Sequence, residues 1–190
     1  MKKDIILSGV GGQGILSIAT IIGEAATKAG INLKQAEVHG MSQRGGDVQS
    51  NLRLSTETIH SDLIPLKKAD LIISMEPMEA LRYLPYLSEE GVIVTSTKPF
   101  VNIPNYPEQE ALNAEFEALP NKVIQLDIEQ VAKDAGNARG ANVVLLGMAA
   151  KYIEIVTVDQ LREAIKKIFA GKGEAVVEAN LKVFDAANSK

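Results

Sequence analysis

The stretch Asp4–Ile15, DIILSGVGGQGI, decides the fold: three branched apolar residues run into four glycines within six positions, and an apolar run follows. A short apolar burst closed by glycine suits a strand buried on both faces of a parallel sheet. Beyond the glycines, Ile15, Ile18, Ala19, Ile22, Ala25, Ala26 and Ala29 recur at helical spacing, and Gly30 supplies the stop. Gly9, Gly11 and Gly14 therefore satisfy a G-x-G-x-x-G spacing in the context that gives it meaning, after a strand and into a helix. In that geometry, loop amides and the helix N-terminus form an anion site, because unpaired N–H groups and the helix dipole both favour negative charge. Gly12 adds freedom for close backbone approach, and Gln13, not needed for turning, can point into whatever the loop faces. The competing reading is that these glycines serve only tight turning and helix-to-strand packing.

Outward from this unit, Asn32–Val38 fits a second strand, with Glu37 near its end, where a dinucleotide fold would place a ribose-binding acid. A dinucleotide fold also needs a crossover helix after that strand. The chain instead passes through HGMSQRGG (39–46) into DVQSNLRLS (47–55), whose alternation of Val48, Ser50, Leu52 and Leu54 predicts a half-exposed strand. The connector is too short for a crossover, so the spacing predicts a hairpin. TETIHSDL (56–63) reads as a further short strand of the same ribbon. Alternating units then return: strand ADLIISM (69–75), helix 77–87, strand GVIVTST (91–97), helix 108–119 and strand KVIQLD (122–127). From Ile128 the pattern is helical only. It predicts helices over 128–136 and 141–154, one opened by Thr157 and Gln160 in capping-box spacing, and a last one carrying Val176, Val177, Leu181 and Phe184. The expected architecture is α/β: three layers, a mostly parallel sheet with a Rossmann-like first βαβ unit, an antiparallel ribbon and C-terminal helices. One domain of 190 residues is expected, with an α/β core over 1–127 and a helical part over 128–190.

Composition narrows the chemistry. Net charge is −4 with scattered cations, so no basic stripe is available for nucleic acid. The chain has no cysteine, which removes disulfides, thiolate nucleophiles and the usual ligands of zinc or an iron–sulfur cluster. Any redox chemistry must use a borrowed centre. The N-terminal apolar run enters a glycine turn without a small-residue cleavage site, and no apolar run approaches the roughly 20 residues that span a bilayer. A cytoplasmic protein without a membrane partner is expected.

The second glycine loop lies at the carboxyl end of the second strand, the edge where open α/β sheets collect ligands. Arg44 offers a planar fork for phosphate or carboxylate, Ser42 and Gln43 offer hydrogen bonds, and Gly45 and Gly46 close the loop. The same residues also suit a solvated hairpin tip. Glu76 precedes Pro77 at a helix entrance, where it either faces the ligand edge or complements the helix N-terminus. His39 and His60 are not spaced as a metal pair and read as structural. Met75 and Met78 read as core or interface filler. Gly140, Ala141, Gly147, Ala149 and Ala150 leave a helix surface of little bulk, suited to close packing within the chain or against a partner. Asn137 and Asn142 suit turns or caps.

Four stretches in order, GVGGQG (9–14), HGMSQRGG (39–46), ADLIISMEPMEALRYLPYL (69–87) and GNARGANVVLLG (136–147), resemble the gamma-type domain of 2-oxoacid:ferredoxin oxidoreductases, over essentially the whole chain. Within that pyruvate/ketoisovalerate oxidoreductase family, the likeness is strongest to the small subunits of the indolepyruvate type. The resemblance implies oxidative decarboxylation: an arylpyruvate and coenzyme A give an aryl-acetyl-CoA, carbon dioxide and two reduced ferredoxins. It also implies thiamine diphosphate with Mg and 4Fe-4S clusters in a larger alpha subunit, through which ferredoxin is reached. This chain has no cysteine for clusters, and its only Gly-Asp pair, Gly46 and Asp47, is followed by Val48, unlike the family's thiamine-diphosphate motif. Cofactors carry such chemistry and protein positions them. The chain alone is therefore expected to hold no cofactor, to have no catalytic residue and to be inactive. Its cofactor-binding candidates are Gly9, Gly11, Gly12, Gln13, Gly14, Ser42, Gln43, Arg44, Gly45 and Gly46, for a contact with coenzyme A. A free-standing NAD(P)-dependent dehydrogenase and a purely architectural subunit are the other readings.

Overall fold

A computed structural model describes residues 1–39 and 45–189, the side chain of His39 excepted. Six strands form one sheet in the order β2-β3-β1-β4-β5-β6. They are β1 (Lys2–Val10), β2 (Asn32–His39), β3 (Asp47–Ser55), β4 (Ala69–Ser74), β5 (Leu87–Ser96) and β6 (Lys122–Leu126). β1, β4, β5 and β6 run parallel, whereas β3 is antiparallel to both β1 and β2. The ribbon expected after β2 is thus present, and its return strand inserts between β1 and β2. The first βαβ unit, with α1 (Ile15–Lys28) as its crossover, therefore skips over one strand.

Alternation in the central strands divides the core into two layers. Ile5, Leu7, Leu71, Ile73 and Val94 face α1 and the C-terminal helices α4 (Ile128–Asp134), α5 (Ala141–Ile153), α6 (Val158–Phe169) and α7 (Glu174–Asn188). Ile6, Ile72 and Ile93 face the smaller layer, built with α2 (Pro77–Arg82), α3 (Gln109–Glu117) and Ile64. α6 opens with the expected capping box between Thr157 and Gln160. The small-residue face of α5 packs inside the chain: a Cβ on Gly147 would collide with the carbonyl oxygen of Phe184 in α7, and one on Gly140 would stand 2.9 Å from Val183 Cγ2.

Three expectations are corrected. Residues 56–63 form no strand. Arg53 Nη1 donates to the carbonyls of Ser61 (3.1 Å) and Leu63 (3.0 Å), and Asn51 Oδ1 accepts from Ile64 N, so side chains of β3 take the bonds a ladder would have used. That segment covers the second face of β3, which is why Asn51 is buried and β3 is not half-exposed. The helix expected over 77–87 ends at Arg82 because Pro85 cannot donate in a helix interior; a 3₁₀ turn, Leu84–Tyr86, follows and β5 starts at Leu87.

Candidate functional site

β1 delivers the chain to the carboxyl edge of the parallel strands, where the first loop turns. Gln13 N donates to Val10 O at 3.1 Å, and the turn takes φ +102° at Gly12 and +81° at Gly14. Both values lie where a side chain is strained, which explains two of the four glycines locally. Gly14 is the N-cap of α1 and, lacking a side chain, offers no cap; no acid stands in the first turn. Among the described residues, no acceptor meets the amides of Gly12, Gly14, Ile15 and Leu16. These residues line a cavity of about 280 Å³. A set of free amides at the positive end of a 14-residue helix favours an anion there.

The second loop is brought onto the first. Gly11 N donates to Gly46 O at 2.8 Å and Gly45 N to Gly11 O at 3.4 Å. Asn102, from the irregular passage after β5, donates its Nδ2 to Gly45 O at 2.8 Å, while its Oδ1 is buried without a partner. Gly9, Gly11, Gly12, Gln13, Gly14, Gly45 and Gly46 therefore share one edge of the sheet. Ser42, Gln43 and Arg44 lie outside the described residues. Glu37, on β2, is in register with Ser50 of β3, so a full strand separates it from β1 and it does not flank the first loop as the acid of a dinucleotide fold does.

Gln13 does not reach outward with its amide oxygen. Oε1 accepts from Val10 N at 2.7 Å and stands 3.0 Å from the place a Cβ on Gly9 would occupy. Its oxygen satisfies the Val10 N–H and so braces the turn from within. Met75 Cβ lies 3.1 Å from the same Gly9 position, so Gly9 is a packing glycine.

Behind the loops, on the α2 face, Ser8, Ser74 and Thr95 are in register across β1, β4 and β5, all fully buried. Glu76, also fully buried, caps α2 by accepting from Glu79 N at 2.9 Å, as a helix-entrance acid can. Its other oxygen accepts from Phe100 N at 3.2 Å and from the Tyr106 hydroxyl. Glu76 thereby fastens the 97–107 passage over the site and is not open to a ligand. Burial, and then the bond to Glu76, push the Tyr106 phenol far up. Burial also raises the Glu79 carboxyl, against the pull of Arg82 at 2.9 Å. Burial, reinforced by the charges of Asp47 and Glu79, lifts Tyr83 to about 12, so both phenols stay protonated.

Three residues that the sequence did not single out for the site shape it. Asn142, at the start of α5, donates Nδ2 to Gly14 O at 3.1 Å and accepts from Val143 N through Oδ1 at 3.0 Å. Its place in GNARGAN marks it for a turn or cap, while the bond to Gly14 O joins residues 128 positions apart and leaves no local mark. Asn102 and Tyr106 lie in a proline-rich passage with no periodic pattern to mark them. Among the described residues, no group of three or more His, Asp or Glu side chains could hold a metal ion, and no helix is long and apolar enough to cross a membrane.

Residues 4–189 match the family model described as pyruvate ferredoxin/flavodoxin oxidoreductase. The chain belongs to that family. Indolepyruvate oxidoreductase subunit IorB of Pyrococcus horikoshii is 37% identical, with 97% of this chain and 94% of the relative covered. The chain is thus a homologue of the IorB subunits of this oxidoreductase family. The fold is that of the gamma subunit of keto/oxoacid ferredoxin oxidoreductase from Geobacter sulfurreducens, with a TM-score of 0.71 at 24% identity over 98% of this chain and 96% of the other. It is also that of part of the 2-oxoglutarate:ferredoxin oxidoreductase from Magnetococcus marinus, solved with 2-oxoglutarate, coenzyme A and succinyl-CoA. There the TM-score is 0.71 at 21% identity over all of this chain and 31% of the longer one. The same fold therefore occurs both as a separate subunit and as a section of a larger polypeptide.

Proposed function

We propose that this chain is the small subunit of a cytoplasmic, thiamine-dependent 2-oxoacid:ferredoxin oxidoreductase of the indolepyruvate type, and that its two glycine loops hold an anionic group of coenzyme A. The larger partner supplies thiamine diphosphate, Mg and the 4Fe-4S clusters, and passes electrons to ferredoxin. This chain adds no reacting group; it positions the acyl acceptor. The observation that carries the reading is the pairing of Gly11 with Gly45 and Gly46, which sets the ends of the two glycine loops side by side at an uncapped helix start. Free amides there bind oxygen anions without selecting a base or a substrate, as a thiol carrier with a diphosphate requires. Arg44, two residues before Gly46, adds a planar fork in this reading.

The test uses the complex assembled with the larger subunit. Gly12→Leu and Arg44→Ala are expected to raise the apparent KM for coenzyme A about tenfold, the size of one lost charge-assisted contact. Coenzyme A-independent decarboxylation, followed in the same preparations, tells weakened acceptor binding from failed assembly, which lowers both. Unchanged coenzyme A kinetics in both variants reject the reading.

A further inference from the structure

A second cavity, of about 510 Å³, opens between the N-terminal parts of α1, α5 and α7. Polar Ser17, Asn137, Asn142 and Asn180 line it together with the exposed cations Arg139 and Lys172, and apolar side chains of α6 and α7 complete its wall. No acidic side chain lines it. Arg139 and Lys172 have no ion-pair partner among the described residues; Lys172 Nζ only overlies the Phe169 ring, 5.3 Å from its centroid. The caps of the three helices, Gly14, Gly140 and Gly173, are all glycines without a side-chain cap bond. Two cations without an ion-pair partner, beside hydrogen-bonding asparagines in one concavity, favour an anionic group there. This cavity and the glycine-loop mouth meet at one contact, because Asn142 lines the first and donates to Gly14 O of the second at 3.1 Å.

A single ligand that fills both must carry two anionic groups close together. Coenzyme A does: its diphosphate leaves the 5′ carbon and a phosphate monoester sits on the 3′ carbon of one ribose. We propose that the Arg139–Lys172 cavity takes the 3′-phosphate of coenzyme A while the glycine loops take the diphosphate. This rests on the coenzyme A reading of the loops and assigns the specificity for the phosphorylated ribose to residues outside them. A monoester carrying close to two negative charges gains most from paired cations, whereas the loops, offering amides, treat phosphorylated and dephosphorylated carriers alike.

The experiment compares coenzyme A with dephospho-coenzyme A, which lacks only the 3′-phosphate, in the assembled two-subunit enzyme. The unmodified enzyme is expected to use dephospho-coenzyme A with kcat/KM lowered about tenfold or more, as loss of a charge-assisted contact predicts. In the double variant Arg139→Ala, Lys172→Ala the two carriers should become equivalent within about twofold, through loss of efficiency with coenzyme A alone. Both side chains are exposed, so truncation spares the core. Gly12→Leu should weaken both carriers by one factor and leave their ratio intact. Equal use of the two carriers by the unmodified enzyme overturns the proposal without any variant, as does a ratio that survives the double substitution. A ratio that collapses in the double variant while Gly12→Leu changes neither carrier sinks the loop reading and leaves the cavity standing.

Discussion

Arg53 forks onto both oxygens of the fully buried Asp4 carboxylate, Nε to Oδ1 at 2.8 Å and Nη2 to Oδ2 at 3.1 Å, joining β3 to β1 on the face opposite α1. The same guanidinium donates to the Ser61 and Leu63 carbonyls, so one side chain seats the charge and the 56–63 segment together. Replacing it by lysine keeps the charge but loses the planar set of donors. Lys2 Nζ, at 2.7 Å from Asp4, softens the loss without replacing it. Arg53→Lys is expected to cost about 2 kcal/mol in urea unfolding, and Arg53→Met more, because a buried carboxylate then loses its main partner. Equal stability in all three proteins would contradict this.

Gly147 presents a second, purely steric dependence. The α7 backbone at Phe184 occupies the space a Cβ would need, and Ala187 Cβ lies 3.1 Å from the same point. Backbone cannot move aside as a flexible side chain can. Gly147→Ala should lower stability by about 1–3 kcal/mol despite the better helix propensity of alanine, and Gly147→Val by more. Thermal unfolding of the three proteins orders them; a stabilised alanine variant would show that α7 shifts freely.

Periodicity made the layered architecture legible, because buried parallel strands and amphipathic helices differ in spacing over many residues. Ile5 to Leu7, Leu71 to Ile73 and the α1 stripe needed no tertiary information. What the chain concealed was long-range. Asn51 and Arg53 look like solvent-facing positions of an alternating strand until residues 61–64 fold over them. The place of β3 between β1 and β2 likewise depends on pairing with β1 across a long stretch of chain, as between Ile5 and Leu52. At the site, glycines announced the turn, but Gln13 was readable only as a polar residue near a helix start. Whether its amide faced ligand or loop depended on the Val10 N–H at 2.7 Å.

Glu79 makes stability depend on pH in an unusual direction. Burial raises its carboxyl above the ordinary 4.5 in the folded chain, even with Arg82 opposing. Below that value both states hold the proton. As pH rises the unfolded chain releases it first, so stability falls through the window above 4.5 and stays lowered beyond the raised folded value. Glu79→Gln lacks this dependence. Its stability relative to the unmodified chain should therefore improve between about pH 4 and about pH 7, read by urea unfolding at both. A difference that is constant, or that moves the other way, would mean the Arg82 pairing outweighs burial.

Asn142 ties stability to the proposed anion site, and two substitutions separate those roles. Asn142→Ala removes the bond to Gly14 O, at about 1 kcal/mol, leaves Val143 N only its bond to Gly140 O at 2.9 Å, and frees the loop that the α1 start depends on. Asn142→Asp keeps an oxygen for Val143 N but sets a carboxylate against the Gly14 carbonyl, between the two cavities proposed to hold anionic groups of coenzyme A. The alanine variant should thus be the less stable, and the aspartate variant the poorer binder of coenzyme A. Electrostatic repulsion is screened by salt and a lost hydrogen bond is not. Raising ionic strength from about 0.01 M to about 0.15 M should narrow the KM gap between aspartate and alanine variants, because the Debye length falls from about 30 Å to about 8 Å. A gap that ignores salt would mean that Asn142 acts on the loop through shape alone, with no anion held beside it.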